Sequence, residues 1–377
     1  MQITVLCKVV DNFGDIGVVY RLCKQLLFIQ TDLTINLIVD DLSSFNKINS
    51  LVNPSLSLQK IDRLLIYSWN DDELCHKDFS SNDGEKLSVI LECFQCGRPD
   101  WMEKILFEEK LNRTCHIVMI DYLTAEKYAE DFHCLKSLTR SAKVQKVNFM
   151  PGFTDKTGGL IIDKLWKKTD YNPDGPYLIF TYEKNWDGFV KALGEKILND
   201  YVTGNDESAD AKKILLAPGR GKKSFLDSYN LSVSAPLTQL DFMNQEDWDK
   251  MMKNCSILFI RGEESLSRAC LSGIPFVWHA YPQSEEYQIV KVNALLQRIK
   301  EYFTKEDFTI IKNLWLDFNK PESELNQDEF FEHTHAFLEN TTRIQKGFSS
   351  FADDLRKNGD LAFNLMTFLK KNAILNH

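Results

Sequence analysis

The sequence predicts an α/β protein made of two domains, each with a mostly parallel sheet and flanking helices. Short apolar runs alternate with helical patterns, first up to about residue 150 and again from about residue 177. A segment rich in turn-forming residues, 151–176, separates the two series. Strands that alternate with helices form parallel sheets, because each helix carries the chain back to the same end of the sheet.

Length and composition limit the classes of protein that the chain can belong to. Its 377 residues suffice for two domains, and 44% hydrophobic and 26% charged residues are ordinary globular values. The net charge of -9 disfavours general nucleic-acid binding, and no apolar run is long enough to span a membrane. Met1 leads directly into a predicted strand, and the nine cysteines are an odd number. We therefore expect reduced thiols and a cytoplasmic protein without nucleic-acid or membrane partners.

The elements follow from these runs in order along the chain. The first domain has predicted strands at 3–10, 34–39, 64–67, 87–91 and 116–120. The second domain has predicted strands at 177–181, 214–217, 256–260 and 275–278, and the chain from about residue 323 is predicted to be helical. The expected domains are 1–170 and 171–377, with last helices that can pack back on the first domain.

The first strand is followed by a turn that carries two carboxylates. This turn reads Asp11, Asn12, Phe13, Gly14, Asp15, Ile16, Gly17. Carboxylates at this place repel phosphate and suit a base or a cation-binding group, so we interpret Asp11 and Asp15 as functional. The alternative is that both stabilise the start of the following helix. A dinucleotide site with Asp40 or Asp41 on the ribose is a second alternative, but the third glycine of that fingerprint is missing.

A second strand–turn–helix segment, in the second domain, has residues suited to a diphosphate. It reads Arg261, Gly262, Glu263, Glu264, Ser265. A guanidinium, a hydroxyl and the amides at a helix start bind phosphate groups, and the glutamates can accept hydrogen bonds from ribose or sugar hydroxyls. The alternative is a capping serine beside an Arg–Glu surface pair.

Aromatic residues of the second domain provide candidates for stacking on a base or sugar. Phe180 and Tyr182 end its first predicted strand, Phe242 precedes Gln245 in a polar loop, and Tyr281 follows its last predicted strand. For any one of them alone, an ordinary position in the hydrophobic core is the better interpretation. Cys93 and Cys96 have the spacing of half a zinc site, but no second pair follows, so a buried thiol pair is the better interpretation.

With these residues in place, the chain resembles the EarP family of elongation factor P arginine rhamnosyltransferases. The resemblance rests on the D-N-F-G-D-I-G and R-G-E-E-S turns with their flanking residues, in the same order along the chain. The matching segments are 9–18, 39–42, 151–154, 157–160, 261–265, 275–278 and 281–283. The last 90 residues or so carry little of it.

The resemblance implies a GT-B glycosyltransferase fold, in which two Rossmann-like domains face a cleft. It implies inverting transfer of L-rhamnose from TDP-β-L-rhamnose to an arginine of elongation factor P, without cofactor or metal. The first domain would bind the acceptor protein, with Asp11 and Asp15 as catalytic pair and Asn12, Phe13, Gly14 and Gly17 in the acceptor-side turn. The second domain would bind the donor. The donor contacts would be Phe180, Tyr182, Phe242, Gln245, Arg261, Glu263, Glu264, Ser265 and Tyr281.

Two positions depart from the family pattern, and some alternatives remain. Glu264 stands where the family commonly has aspartate, and Met243 and Asn244 stand where a proline is frequent. Of the pair, Asp15 is the expected base and Asp11 the orienting partner. The alternative functions are a GT-B transferase for another sugar nucleotide or acceptor, an NAD-dependent oxidoreductase, and a non-catalytic scaffold that binds a translation factor.

Overall fold

The computed structural model describes residues 1–10, 13–109, 111, 113–167, 171–203, 213–232 and 235–372. The chain forms two compact units: unit 1 is Met1–Asp163 with Asn358–His377, and unit 2 is Lys164–Lys357. The division after Asp163 falls inside the turn-rich segment 151–176. Among the described helices, none is long and apolar enough to cross a bilayer.

Unit 1 contains a sheet whose described strands run in the order β3-β4-β2-β1-β5-β6-β8-β7. The strands are β1 (Gln2–Cys7), β2 (Thr34–Val39), β3 (Leu58–Ile61), β4 (Leu64–Ser68), β5 (Val89–Cys93), β6 (Cys115–Ile120), β7 (Lys136–Ser137) and β8 (Val144–Phe149). β3 and β7 pair antiparallel at the two edges, and the six strands between them are parallel. The central order is that of a doubly wound Rossmann sheet.

Between these strands, the described residues of unit 1 form five α-helices and one 3₁₀ range, and a second 3₁₀ range begins unit 2. The helices are α1 (Gly14–Ile29), α2 (Leu42–Ile48), α3 (Asp72–Phe79), α4 (Asp100–Phe107) and α5 (Tyr128–Phe132). The 3₁₀ ranges are Asn82–Leu87 and, at the start of unit 2, Lys164–Trp166.

Unit 2 contains a smaller, fully parallel sheet in the order β11-β10-β9-β12-β13. Its strands are β9 (Tyr177–Ile179), β10 (Ile214–Leu216), β11 (Leu237–Gln239), β12 (Ile257–Arg261) and β13 (Phe276–His279). Its helices are α6 (Asp187–Thr203), α7 (Lys222–Ser232), α8 (Gln245–Lys253), α9 (Glu263–Ser272), α10 (Tyr287–Ile299), α11 (Lys305–Asn319), α12 (Gln327–Glu339) and α13 (Thr341–Lys357). Further 3₁₀ ranges are Ser284–Glu286, Lys300–Tyr302 and Glu322–Glu324.

The last helix, α14 (Leu361–Lys371), belongs to unit 1. Leu361, Leu365 and Leu369 lie in the same buried core as the apolar face of α1. Gln25 of α1 donates a hydrogen bond to the carbonyl of Ile162 (3.1 Å), and the amide of Leu361 donates to the carbonyl of Leu160 (2.8 Å). The segment that leaves unit 2 therefore completes the hydrophobic core of unit 1.

The predicted fold class is confirmed: both units are α/β with parallel sheets, and helices end the chain. Eight of the nine predicted strands are interior strands of the two sheets, which are buried on both faces and form apolar runs. The ninth is the edge strand β13, all of whose residues are buried as well. β3, β7, β8 and β11 were not predicted. β3 and β11 are short and largely exposed, and β8 alternates polar with apolar residues in a segment where no apolar run signals a strand.

Each sheet has one point at which the strand order reverses. In unit 1 it lies between β1 and β5, and in unit 2 between β9 and β12. Ligands of open parallel sheets bind at the carboxyl ends of the strands at these points, where neighbouring loops diverge and leave a crevice. The loops that follow β1, β5, β9 and β12 are therefore where a site is expected.

Candidate functional site

The turn between β1 and α1 is held by two carboxylates that accept backbone hydrogen bonds. Asp15, in the first turn of α1, accepts from the amide of Val10 through Oδ2 (2.8 Å). Asp40, at the end of β2, accepts from the amide of Val9 through Oδ1 (2.8 Å). Asp15 is 3% exposed and lies in the first turn of α1, at the positive end of the helix dipole. Asp15 therefore shapes this turn, whatever chemistry it also performs.

Of the other predicted residues of this turn, the structure describes Phe13, Gly14 and Gly17. Asp11 and Asn12 lie outside the described residues. Phe13 is the N-cap of α1, accepts a hydrogen bond from the amide of Gly17 (2.9 Å), and has the Lys47 ammonium 5.2 Å from its ring centroid. Gly14 is the first residue of α1. The assignment of these residues to the acceptor side stays a prediction.

Two further groups near this turn have structural partners. Asp41 caps α2 by accepting from the amides of Ser43 and Ser44 (3.0 Å each). Burial, with Asp15 close by, raises the pKa of the Cys7 thiol well above its usual value, so Cys7 is a neutral core residue. Each of the nine cysteines is a free thiol.

In unit 2, Arg261 lies between two aromatic rings at the point where the strand order reverses. Its guanidinium carbon is 4.6 Å from the ring centroid of Phe180 and 4.6 Å from that of Tyr182. Phe180 and Tyr182 follow β9, and Arg261 ends β12, the neighbouring strand. Two flanking rings fix the plane of the guanidinium, which keeps its N–H edge in one orientation. The structure thus brings Arg261 together with Phe180 and Tyr182, which lie about 80 positions earlier in the sequence. We call these three residues the Arg261 group.

The loop after β10 approaches this arginine closely. Gly219 has a φ of +137°, and a Cβ at this position would lie 2.6 Å from Nη2 of Arg261. A Cβ at Gly221 would lie 2.4 Å from the carbonyl oxygen of Thr181, and the Gly221 amide donates to that oxygen (3.2 Å). A side chain at Gly219 would push against the Arg261 guanidinium, and a side chain at Gly221 would collide with the backbone carbonyl of Thr181.

Arg220 stands between these glycines and was missed by the sequence analysis. Its guanidinium carbon lies 6.0 Å from the ring centroid of Tyr281, and its Nη2 lies 3.7 Å from Oε2 of Glu183. The Pro-Gly-Arg-Gly segment directly after a predicted strand was the signal that pointed to it. Tyr281 in turn packs edge-on against Tyr182, with ring centroids 5.4 Å apart.

The start of α9 adds mixed charge to the Arg261 group. Gly262, with a φ of +72°, is the N-cap, and the buried Ser265 lies in the first turn. Glu263 is 3.8 Å from Lys291, and Glu264 is 3.8 Å from Arg268 on the same helix. A helix start attracts anions, but two carboxylates there reduce this attraction. Arg261 is therefore the main group of this turn for binding an anion.

Phe242 and Gln245 lie in the segment that leads from β11 into α8. Phe242 is 50% exposed, which an ordinary core aromatic would not be, and Gln245 is the first residue of α8. Trp248, one turn further along α8, packs edge-on against Phe180 with ring centroids 5.0 Å apart. The start of α8 therefore lies beside the Arg261 group. Trp248 was also missed, because the sequence carries no signal that links it to Phe180.

His279, at the end of β13, contacts both the backbone and the ring of Tyr182. Its Nδ1 accepts a hydrogen bond from the Tyr182 amide (3.3 Å), and the two rings pack edge-on at 5.2 Å. Burial lowers the pKa of His279 well below its usual value, and the cations Lys184 and Arg261 act in the same direction. The ring is therefore neutral near pH 7, as an acceptor at Nδ1 requires.

The charged and aromatic side chains of the two units suit organic anions and cations. Within the described part of the chain, no group of three or more His, Cys, Asp or Glu residues is arranged to hold a metal ion. Unit 2 offers a fixed guanidinium and aromatic rings, and unit 1 offers a carboxylate in a shaped turn. Such groups bind a nucleoside diphosphate and a cationic side chain, respectively.

Comparisons with known proteins converge on one family. The family model described as elongation factor P (EF-P) rhamnosyltransferase EarP matches residues 3–173 and 166–370. A protein-arginine rhamnosyltransferase of Shewanella oneidensis is 28% identical, and the match covers 97% of each chain.

Solved structures agree on the architecture. A structure described as the basis for EarP-mediated arginine glycosylation of translation elongation factor EF-P superposes with a TM-score of 0.56 at 18% identity, covering 98% of this chain and 99% of that one. A UDP-GlcNAc 2-epimerase of Neisseria meningitidis bound to UDP-GlcNAc superposes with a TM-score of 0.53 at 9% identity, covering 99% and 100%. At these identities the likeness shows the GT-B fold.

Proposed function

The chain belongs to the EarP family of elongation factor P rhamnosyltransferases, and on this premise we propose that it transfers L-rhamnose from TDP-β-L-rhamnose to an arginine of elongation factor P. The family assignment makes the protein an arginine-directed glycosyltransferase. The identity of the sugar nucleotide, the inversion at the anomeric carbon and the cytoplasmic location are parts of the proposal.

The observation that supports a nucleotide-sugar donor most directly is the position of Arg261 between Phe180 and Tyr182. A guanidinium whose plane is fixed can bind two phosphate oxygens at once, and it stabilises the charge that develops on the departing nucleoside diphosphate. Exposed aromatic faces such as Phe242 suit stacking on a nucleobase. In this proposal Gln245, Glu263, Glu264, Ser265 and Tyr281 complete the donor contacts.

The acceptor chemistry requires a carboxylate. An arginine side chain is a poor nucleophile because its guanidinium stays protonated and delocalised near neutral pH. In an inverting transfer, one nitrogen attacks the anomeric carbon as the bond to the diphosphate breaks, and a base takes the proton from that nitrogen. We assign the base role to Asp15 and the orienting role to Asp11. Asp15 lies in the first turn of α1, and its Oδ2 is held in place by the Val10 amide (2.8 Å).

The proposed function is tested by incubating the enzyme with elongation factor P of the same organism and TDP-β-L-rhamnose. Intact and peptide mass spectrometry should find one deoxyhexose on a single arginine. Parallel reactions with UDP-glucose and with elongation factor P in which that arginine is replaced by lysine serve as controls. Transfer of a different sugar, or no transfer to elongation factor P, would overturn the proposal.

A further inference from the structure

The loop after β5 lies directly against the Asp15 turn. β5 pairs with β1 in parallel, with Leu6 opposite Glu92, so the residues that follow the two strands are neighbours. Burial and the nearby Glu92 raise the pKa of the Cys96 thiol to about 12, so Cys96 is a neutral structural group. The amide of Cys96 donates a hydrogen bond to the carbonyl of Cys93 (3.1 Å), and the two cysteines therefore close a tight turn beside the site.

This loop has an unusual backbone. Phe94 has a φ of +57° and Gln95 a φ of +52°, followed by Gly97 at +71°. A left-handed conformation costs about 1 kcal/mol or more for a residue with a side chain, and it is rare for a bulky aromatic. Such conformations persist where the surrounding structure enforces them, and they cluster at functional sites.

The consequence of this backbone is a stacked aromatic pair at the edge of the sheet. The rings of Phe94 and Tyr122 stack with centroids 4.5 Å apart and an interplanar angle of 16°. Tyr122 follows β6, the next strand, and Gln95 donates to Oδ2 of the adjacent Asp121 (3.1 Å). The two loops are thus joined by a stack and a hydrogen bond.

Exposed aromatic side chains continue from this pair along α5. Tyr128 lies close to Asp121, and its ring packs edge-on against Phe132 at 6.2 Å. Tyr122, Tyr128 and Phe132 are 37%, 38% and 45% exposed. We call Phe94, Tyr122, Tyr128 and Phe132 the aromatic ridge. Large exposed aromatic groups of this kind are enriched in the centres of protein interfaces.

The segment 121–132, which holds Tyr122, Tyr128 and Phe132 of the ridge, is net negative even with Lys156 lying 4.0 Å from Glu130. Residues 121–132 contain four acids against one base, Lys127. Three of the acids are Asp121, Glu126 and Asp131. A negative rim attracts a partner surface that carries arginine, and it speeds association more than it tightens the final complex.

We propose that the aromatic ridge docks the acceptor protein, contacting the surface that surrounds the arginine to be modified. This inference rests on the proposed function for the identity of that protein. Its basis in the structure is threefold: the ridge is continuous with the Asp15 turn through the 94–97 loop, it is aromatic and exposed, and its charge is opposite to that of an arginine-bearing surface.

The test uses the full-length enzyme with Tyr122→Ala, Phe132→Ala and both changes together. Phe363→Ala is the matched control, since Phe363 is an exposed aromatic (59%) of unit 1 that lies on α14. The dissociation constant for elongation factor P is measured by biolayer interferometry. The KM for elongation factor P is measured at saturating TDP-rhamnose, and the affinity for TDP is measured by calorimetry.

Each single substitution on the ridge should raise the dissociation constant and the KM roughly tenfold, the size typical of aromatic interface anchors. The kcat, the TDP affinity and the melting temperature should stay at the wild-type values. Tyr122→Phe should bind elongation factor P with the wild-type affinity, because it retains the stack on Phe94 that Tyr122→Ala removes.

The two proposals fail in different ways. If wild-type enzyme modifies elongation factor P and the double variant binds it with wild-type affinity, the docking proposal is wrong and the proposed function stands. If wild-type enzyme binds elongation factor P without modifying it, and the double variant loses binding, the proposed function is wrong and the docking surface stands. Absence of binding by the wild type would overturn both.

Discussion

At the scale of single residues, Asp15 combines a structural contact with its proposed chemical role. Its Oδ2 holds the Val10 amide, so removal of the whole side chain would disturb the turn as well as the chemistry. An asparagine in its place retains an oxygen that can accept from Val10 but cannot act as a base. The conservative substitution therefore separates the two roles.

We predict that Asp15→Asn lowers kcat by roughly 10²- to 10⁴-fold, the range typical of general base catalysis, with TDP affinity unchanged. The measurement is a time course of EF-P modification followed by mass spectrometry. Asp40→Asn is the control, since Asp40 accepts from the neighbouring amide of Val9 in the same way. Near-normal turnover of Asp15→Asn, or an equal loss in Asp40→Asn, would remove Asp15 from the base role.

Arg261 permits a comparable separation of charge from shape. A lysine retains the positive charge but loses the planar fork and the stack between Phe180 and Tyr182. We predict that Arg261→Lys weakens TDP binding about tenfold and Arg261→Ala weakens it further, as measured by calorimetry. Lys223→Ala on α7 is the control, because Lys223 is an exposed cation of the same unit that pairs with Asp227 one turn along its own helix. TDP affinity that is unchanged in both Arg261 variants would contradict a donor role.

The buried His279 gives the stability of unit 2 a pH dependence with a definite sign. Its pKa is lowered in the folded state, so on acidification the His279 imidazole takes up a proton in the unfolded chain before it does so in the folded chain. The stability from this group is complete above the unfolded pKa of about 6.5 and is lost as the pH falls below that value. We predict that His279→Gln reduces the loss of melting temperature between pH 7 and pH 5, measured by differential scanning calorimetry. An unaltered pH profile in that variant would exclude His279 as the cause.

At the scale of secondary structure elements, α14 is a core element of unit 1 rather than a surface addition. Its apolar face shares a core with α1, and Asp360 caps its start by accepting from the amide of Ala362 (2.7 Å). Leu365 is fully buried there.

We predict that Leu365→Ala lowers the free energy of unfolding by about 2–5 kcal/mol, the range for truncation of a buried leucine. Chemical denaturation followed by circular dichroism measures this change. Phe363→Ala on the exposed side of the same helix should change it by less than about 0.5 kcal/mol. Equal effects of the two substitutions would show that α14 does not contribute to the core.

Some of the strands and site contacts could be predicted from the sequence and others could not, for physical reasons. Strands whose residues are almost all buried, including the edge strand β13, were predictable because they form apolar runs, whereas the interior strand β8 was not, because it alternates polar with apolar residues. The two strand–turn–helix sites were predictable because glycine and charged residues interrupt apolar patterns. The contacts of Arg220 and Trp248 were not predictable, since they arise from strands that are neighbours in the sheet and distant in the sequence. The left-handed backbone at Phe94 and Gln95 gave no signal either, because neither residue favours that conformation.

At the scale of the whole molecule, each unit repeats one plan: a doubly wound sheet with its candidate site at the reversal of strand order. The residues differ while the position is the same, with a carboxylate in unit 1 and a guanidinium in unit 2. The plan explains the fold, and the side chains at these positions decide the reaction.

The order of the chain through the two units has a consequence for how the protein is made. Residues 1–163 emerge from the ribosome long before α14, which covers part of their core, because all of unit 2 is synthesised in between. During that interval the apolar face of α1 that α14 will cover is open to water. Chaperones that bind nascent chains should therefore associate with this protein until α14 has been synthesised and released. Messenger RNAs truncated before the codons of α14 should yield chains that proteases degrade.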